Sequence, residues 1–197
     1  IIGYQLSGTV RNVYSTARVQ ASGSYAGGIL GYLEKGLVTN TYFRGEVIAQ
    51  NYAAGIVGGA INGNQITNSY SSGKVSAQSS VQGLVNELDN RSNVRTNIYY
   101  DITVIANYEQ VKALKPSTEP STQGLNSGVM YTQMSSKLGS GWVFKASADG
   151  YAYYPQLSVF SNHEIEAIKV ASELSVRVDI EDGMGTEEYP FILRNKE

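Results

Sequence analysis

Apolar positions in the first hundred residues come in runs of three to five, alternating with polar ones and closed by Gly, Ser or Asn. Alternation at period two predicts β-strands, and runs this short cannot bury an apolar face on their own. The runs also recur. Val10-Arg11-Asn12-Val13-Tyr14-Ser15 returns as Val38-Thr39-Asn40-Thr41-Tyr42-Phe43, as Ile66-Thr67-Asn68-Ser69-Tyr70-Ser71 and, more loosely, as Thr96-Asn97-Ile98-Tyr99. The Asn interval is 28 residues twice (40 − 12, 68 − 40) and then 29 (97 − 68), and the Tyr two places later keeps step. A second block precedes each copy: Ile1-Ile2-Gly3-Tyr4, Gly28-Ile29-Leu30-Gly31-Tyr32, Gly55-Ile56-Val57-Gly58-Gly59 and Gly83-Leu84-Val85-Asn86. A third follows it, as Arg18-Val19-Gln20-Ala21, Gly45-Glu46-Val47-Ile48-Ala49 and Gly73-Lys74-Val75-Ser76-Ala77.

Stacking gives such repeats a shared core, because equivalent strands then pair in parallel about 4.8 Å apart. A unit of this length with three short strands predicts an all-β fold, a right-handed parallel β-helix (β-solenoid) of three-strand coils. It is too short for a propeller blade and lacks the Leu framework of a leucine-rich repeat. Val19, Val47 and Val75 are expected to point inward beside Ala21, Ala49 and Ala77. Ile29, Ile56 and Leu84, or their neighbours Leu30, Val57 and Val85, are expected to fill another wall. Asn12, Asn40 and Asn68 suit an amide ladder, and Tyr14, Tyr42, Tyr70 and Tyr99 a stacked aromatic row.

The repeat resembles the GLUG motif of large bacterial surface and secreted proteins. The resemblance rests on Gly28-Ile29-Leu30-Gly31 with Val38-Thr39-Asn40-Thr41-Tyr42, and on Gly55-Ile56-Val57-Gly58 with Ile66-Thr67-Asn68-Ser69-Tyr70. It covers about half the chain and is specific to repeat type rather than to activity. The last copy departs from the motif, since Asn86 replaces the closing Gly, so the regular solenoid is expected to end at about residue 101.

Residues 102–160 read as a capping segment. Lys115-Pro116-Ser117-Thr118-Glu119-Pro120 is an irregular loop, and Ser127 to Leu138 carries a Ser cap, spaced apolar residues and Gly139 as a stop, which predicts one short helix. Trp142, Phe144, Tyr154 and Leu157 are expected to close the open end of the solenoid. The Trp and the Tyr-Pro-x-Leu also resemble the segment that closes GLUG-type modules. Residues 161–197 read as a linker with a strand at Ser175–Glu181, followed by a segment from Gly183 to Leu193 that resembles the leader of a further module. The chain is thus expected to be cut from a longer array, flanked by repeat modules of the same protein.

Composition narrows the chemistry. With 16% charged residues and a net charge of −2, the chain offers no basic stripe for nucleic acid and no polybasic membrane face. No run is long and apolar enough to span a bilayer as a helix. Cysteine is absent, which excludes disulfides and thiolate metal sites and is compatible with export from a Gram-positive cell. His163 is the only histidine and lies in a polar linker, so a Ser-His-Asp site, which would have to use it, is not expected, and a His-rich metal site cannot be assembled from one His. The acidic run Asp179-Ile180-Glu181-Asp182-Gly183 lacks the alternation of an EF-hand loop. Glu34, Glu46, Glu87 and Asp89 occupy different repeat positions, which argues against the paired carboxylates of a polysaccharide-cleaving β-helix.

These readings predict a non-catalytic structural or adhesive module at the bacterial cell surface, with no cofactor. It would act as a rigid stalk or as a ligand-binding solenoid, with host glycans or extracellular-matrix proteins as partners. If the Tyr row faces outward, Tyr14, Tyr42 and Tyr70 form the candidate ligand surface, able to stack on sugar rings. If inward, they are core. A second expectation is a non-catalytic arm of a large secreted enzyme, because GLUG-type repeats also occur in relatives of IgA-specific metallopeptidases. Their zinc motif His-Glu-x-x-His is absent from this sequence. A polysaccharide-active β-helix ranks third.

Overall fold

Each repeat closes one coil of backbone. In the computed structural model the first coil holds β1 (Ile2–Gln5), β2 (Thr9–Ser15), β3 (Arg18–Ala21) and β4 (Tyr25–Gly27). The second holds β5 (Leu30–Leu33), β6 (Leu37–Phe43), β7 (Glu46–Ala49) and β8 (Tyr52–Ala54). The third holds β9 (Val57–Ala60), β10 (Gln65–Ser71), β11 (Lys74–Ala77) and β12 (Ser80–Gln82), and a fourth opens with β13 (Val85–Glu87) and β14 (Val94–Asp101). The structure describes residues 1–89, 93–102, 104, 122–125, 134–145, 151–160, 169–171, 178–180 and 193–195.

Equivalent strands pair in parallel and build four walls, in the orders β1-β5-β9-β13, β2-β6-β10-β14, β3-β7-β11 and β4-β8-β12. The coil therefore carries one strand more than the three expected. The extra piece is only three residues long, and in two of its three copies, Tyr25-Ala26-Gly27 and Tyr52-Ala53-Ala54, it carries no branched residue. Register holds from coil to coil: Val10, Val38 and Ile66 align, as do Val19, Val47 and Val75. These ranks fill one continuous core with Leu30, Val57, Ile29, Ile56, Leu84, Ala53 and Val81. The Val10–Val38–Ile66 rank ends on Arg95, whose guanidinium donates to the carbonyl and side-chain oxygens of Asn64. That rank thus terminates on a hydrogen-bonded polar group, while Val85 and Ile98 carry the core into the fourth coil.

The repeated Asn has a backbone role. Asn12, Asn40, Asn68 and Asn97 sit inside β2, β6, β10 and β14 with φ of 56°, 50°, 46° and 51°. Left-handed backbone is sterically unfavourable for most residues, and Asn is one of the few that tolerates it. Each Asn bends its strand at the same place in the coil. Two ladder bonds tie the bends together, from Asn40 Nδ2 to Asn12 Oδ1 at 3.3 Å and from Asn97 Nδ2 to Asn68 Oδ1 at 3.0 Å.

Beyond the coils, β15 (Thr122–Leu125) adds in parallel to β14 and extends that wall to five strands. Short antiparallel pairs follow: β16 (Trp142–Val143) with β18 (Gln156–Leu157), and β17 (Tyr151–Tyr153) with β19 (Lys169–Ala171). Within the predicted 175–181 strand, β20 (Val178–Ile180) pairs with β21 (Leu193–Asn195). The predicted helix lies mostly outside the described residues. Its described part is one turn, in which the Leu138 N–H bonds the Met134 carbonyl, and Gly139 follows at φ 79° as the expected stop.

The Asn bend yields a test by chemical denaturation. Asn68→Gly keeps the backbone angle and loses the amide ladder, so it should cost about 1 kcal/mol. Asn68→Val loses both and should cost about 2–3 kcal/mol. Equal costs would remove the backbone role from this Asn.

Candidate functional site

The bend decides where the following side chains go. After Asn40, Thr41 turns inward, Tyr42 outward and Phe43 back into the core, and all three are buried. The inward Thr41 is matched on the next coil by Ser69, whose Oγ accepts from the Thr41 N–H and Oγ1 and donates to the Thr67 carbonyl. Phe43 needs space across the coil, and Gly28 supplies it: a Cβ there would stand 2.3 Å from the Phe43 ring. The same relation joins Gly83 to the Tyr100 ring at 2.1 Å. The opening glycine of the motif is therefore fixed by the residue that follows the Tyr.

Turned outward, the tyrosines form a stacked rank on the flank. Tyr14 and Tyr42 lie 5.0 Å apart with ring planes at 12°, and Tyr42 and Tyr70 lie 5.3 Å apart at 6°. This rank is not open surface. Tyr42, Tyr70 and Tyr99 are buried beneath Met134, Leu138, Trp142, Tyr154 and Leu157, and half-buried Tyr14 meets the Phe160 ring edge-on at 5.1 Å. The candidate ligand surface at Tyr14, Tyr42 and Tyr70 is thus occupied by the chain's own C-terminal segment. The side chains expected to seal the end of the solenoid lie along its side, packed on the aromatic rank that the bends turn outward.

Arg44 fastens this strap. Its side chain is buried, with the guanidinium 4.7 Å from the Tyr42 ring centroid and 5.7 Å from that of Tyr154. Nε and Nη2 donate to the Tyr70 hydroxyl at 2.9 and 2.7 Å, and Nη2 also reaches the carbonyls of Tyr154 and Pro155. Tyr70 Oη in turn donates to the Pro155 carbonyl at 2.7 Å. The Tyr154 hydroxyl donates to buried Asp101. Tyr154 is therefore held at both its backbone and its ring tip. Among the described residues no carboxylate pairs with Arg44, so its charge rests on two carbonyls, a phenol and ring faces.

Sequence reasoning missed Arg44 and Asp101. The signal was a charged residue two places after the repeat Tyr in an otherwise charge-poor chain, where the other coils have Thr16 and Ser72. It also separated acids that stand together. Glu34 Oε1 accepts from Asn62 Nδ2, and the Asn62 backbone N–H donates to Asp89, so Glu34 and Asp89 share one corner of the coil. One-residue differences between coils hid this alignment. Glu46 lies on another wall, paired with Arg18 at 2.8 Å. His163 lies outside the described residues. Among the described residues no three acidic or His side chains group as metal ligands, and no helix is long and apolar enough to cross a membrane.

The fold and its flank define the chain as a parallel β-solenoid with a laterally docked C-terminal strap. No family model, curated protein or solved structure matches it.

Burial raises the Tyr42 phenol to about 12, against the opposing pull of Arg44. Tyr70 is raised further by the same cause, and burial also raises Tyr99. A phenol whose folded pKa exceeds its unfolded value holds its proton more tightly in the native state, so stability falls as pH rises between the two values. The denaturation midpoint should therefore be insensitive to these phenols below pH 10 and drop between about pH 10 and 12. A profile flat through that window would contradict the burial.

The two hydroxyls should also separate by mutation. Among the described residues the buried Tyr42 Oη has no partner, so Tyr42→Phe should be neutral or stabilise by up to about 1 kcal/mol. Tyr70→Phe strips two charge-assisted bonds from Arg44 and should cost about 2–3 kcal/mol in the same denaturation assay. Equal effects would argue against the Arg44 clasp.

Proposed function

We propose that this chain is a non-catalytic structural and adhesive module of a large bacterial surface protein, serving as a rigid element that projects or presents a binding region outside the cell. One observation carries the reading: four parallel walls, in register through the first three coils and braced along one flank by the chain's own C-terminal segment. A stack of this kind gains rigidity from nearest-neighbour coil contacts repeated along one axis, the property a spacer needs. The GLUG-like pairing of Gly-Ile-Leu-Gly with Val-Thr-Asn-Thr-Tyr supports the same setting. A charge-poor, cysteine-free composition suits export without disulfide formation. Glycans or extracellular-matrix proteins are the partners this reading favours.

The test is location together with inertness. Antibody raised against the chain should label intact cells that express it, and brief protease treatment of those cells should remove the label. Label confined to permeabilised cells would overturn the surface reading. Release of sugar or peptide fragments from candidate substrates by the purified chain would overturn the non-catalytic one.

A further inference from the structure

A second group of tyrosines remains at the surface. Tyr4 and Tyr32 stack at 5.8 Å, Tyr32 meets Tyr25 edge-on at 5.3 Å, and Tyr25 stacks on Tyr52 at 5.0 Å. These four rings form one cluster over the β4–β5 and β8 corner. Tyr4 is 57% exposed, and Tyr25, Tyr32 and Tyr52 are half-buried, unlike the fully covered Tyr42 and Tyr70. The hydroxyls of Tyr25, Tyr32 and Tyr52 make no hydrogen bond to the described residues, whereas Tyr4 donates to Glu34 at 2.6 Å.

Among the described residues Tyr52 has a ring partner on one face alone. Tyr25 covers Tyr52 from one side, but the residue in register with Tyr52 on the next coil is Ser80. Ser80 Oγ is tied to Asn86 Oδ1 at 2.8 Å, and a serine is too short to cover a phenol ring. The surface beyond that face is neutral and polar, with Ser79 exposed and Ser80 and Gln82 half-buried.

We propose that the Tyr4–Tyr32–Tyr25–Tyr52 cluster is a binding surface for a neutral, hydroxyl-rich polysaccharide, with a sugar ring seated on the open face of Tyr52 above Ser80. The proposal rests on the reading of the chain as a module that presents a surface outside the cell. Ring faces attract the apolar face of a sugar, and phenol and amide groups both donate and accept, as sugar hydroxyls require. A cationic partner fits less well. A cation would compete for the same face of Tyr52, and what would favour it, a carboxylate with unused acceptor capacity beside the rings, is already engaged at this corner. The two carboxylates at this corner are both engaged, Glu34 accepting from Tyr4 and Asn62 and Asp89 from the Asn62 N–H.

Affinity electrophoresis through gels containing hydroxyethylcellulose, amylopectin or yeast mannan tests this with the full chain, with heparin and polylysine as charged probes. At least one neutral polysaccharide should retard the wild type. Tyr52→Leu keeps an apolar contact for Tyr25 but removes the flat face, and should weaken retardation about tenfold, the effect of roughly 1.4 kcal/mol. Tyr52→Phe keeps the face and should stay within about threefold. Circular dichroism confirms that each variant folds. Retardation by none of the neutral gels, or only by a charged probe, overturns the proposal, as does equal retardation of the wild type and a folded Tyr52→Leu. Such a failure would leave the surface location standing, because cell labelling reads that separately.

Discussion

A coil that must return in register to its own equivalent position can tolerate bends only where every coil bends alike. In this chain that constraint falls on an Asn held in the left-handed region within one wall, at Asn12, Asn40, Asn68 and Asn97. The bend resets the in-and-out alternation of the strand. It sends the residue two places on, Tyr42 or Tyr70, to the outside and the next, Phe43, to the inside. The glycine opposite Phe43, the stacked flank and the docking of the strap all follow from that one local conformation. Any residue can continue a strand, but few accept this angle, which is why the motif keeps Asn while its neighbours vary between Val, Thr, Ser and Ile.

The strap shows how a buried cation can be accommodated with no carboxylate partner among the described residues. Charge in an apolar interface is costly unless its hydrogen bonds are met. Arg44 meets them with Tyr70 and the carbonyls of Tyr154 and Pro155, and lays its guanidinium on the Tyr42 ring. Those two carbonyls belong to consecutive residues of the strap, so a slip of the strap along the rank would break both bonds. The interaction therefore sets the register of the strap on the rank more than it adds stability, a role a purely apolar contact between Trp142 and the tyrosines could not fill.

Most of the solenoid was legible because repetition multiplies weak signals. Val47 or Ala49 alone says little, but the same pair at a fixed interval identifies a wall. The fourth strand was not legible, since Tyr52-Ala53-Ala54 carries no β-branched residue and is held by its parallel neighbours rather than by propensity. The destination of the strap was hidden for a different reason. Trp142, Tyr154 and Leu157 read correctly as material that covers apolar surface, but a sequence does not say which surface when two are available. Arg44 and Asp101 occur once each, and the repeat pattern that exposed the coils discarded them as noise.

The chain thus carries two tyrosine clusters with opposite fates, and the difference lies in their surroundings rather than in the rings. The flank rank stacks over Tyr14, Tyr42 and Tyr70, with Tyr99 next in register, and it borders Arg44 and Asp101, which can grip a backbone and a hydroxyl. Such a surface captures a segment of its own chain. The corner cluster breaks off at Ser80 on one wall and at Gly59 on the other, because those residues replace Tyr in register. A rank that stops part-way cannot seat a long strap, but it leaves a ring face beside short polar groups. Aromatic surface that a protein neither buries nor interrupts with charge is a recognised mark of an interaction site. Two positions in the repeat, Tyr52→Ser80 and Tyr32→Gly59 from one coil to the next, are enough to turn a structural ladder into an open platform.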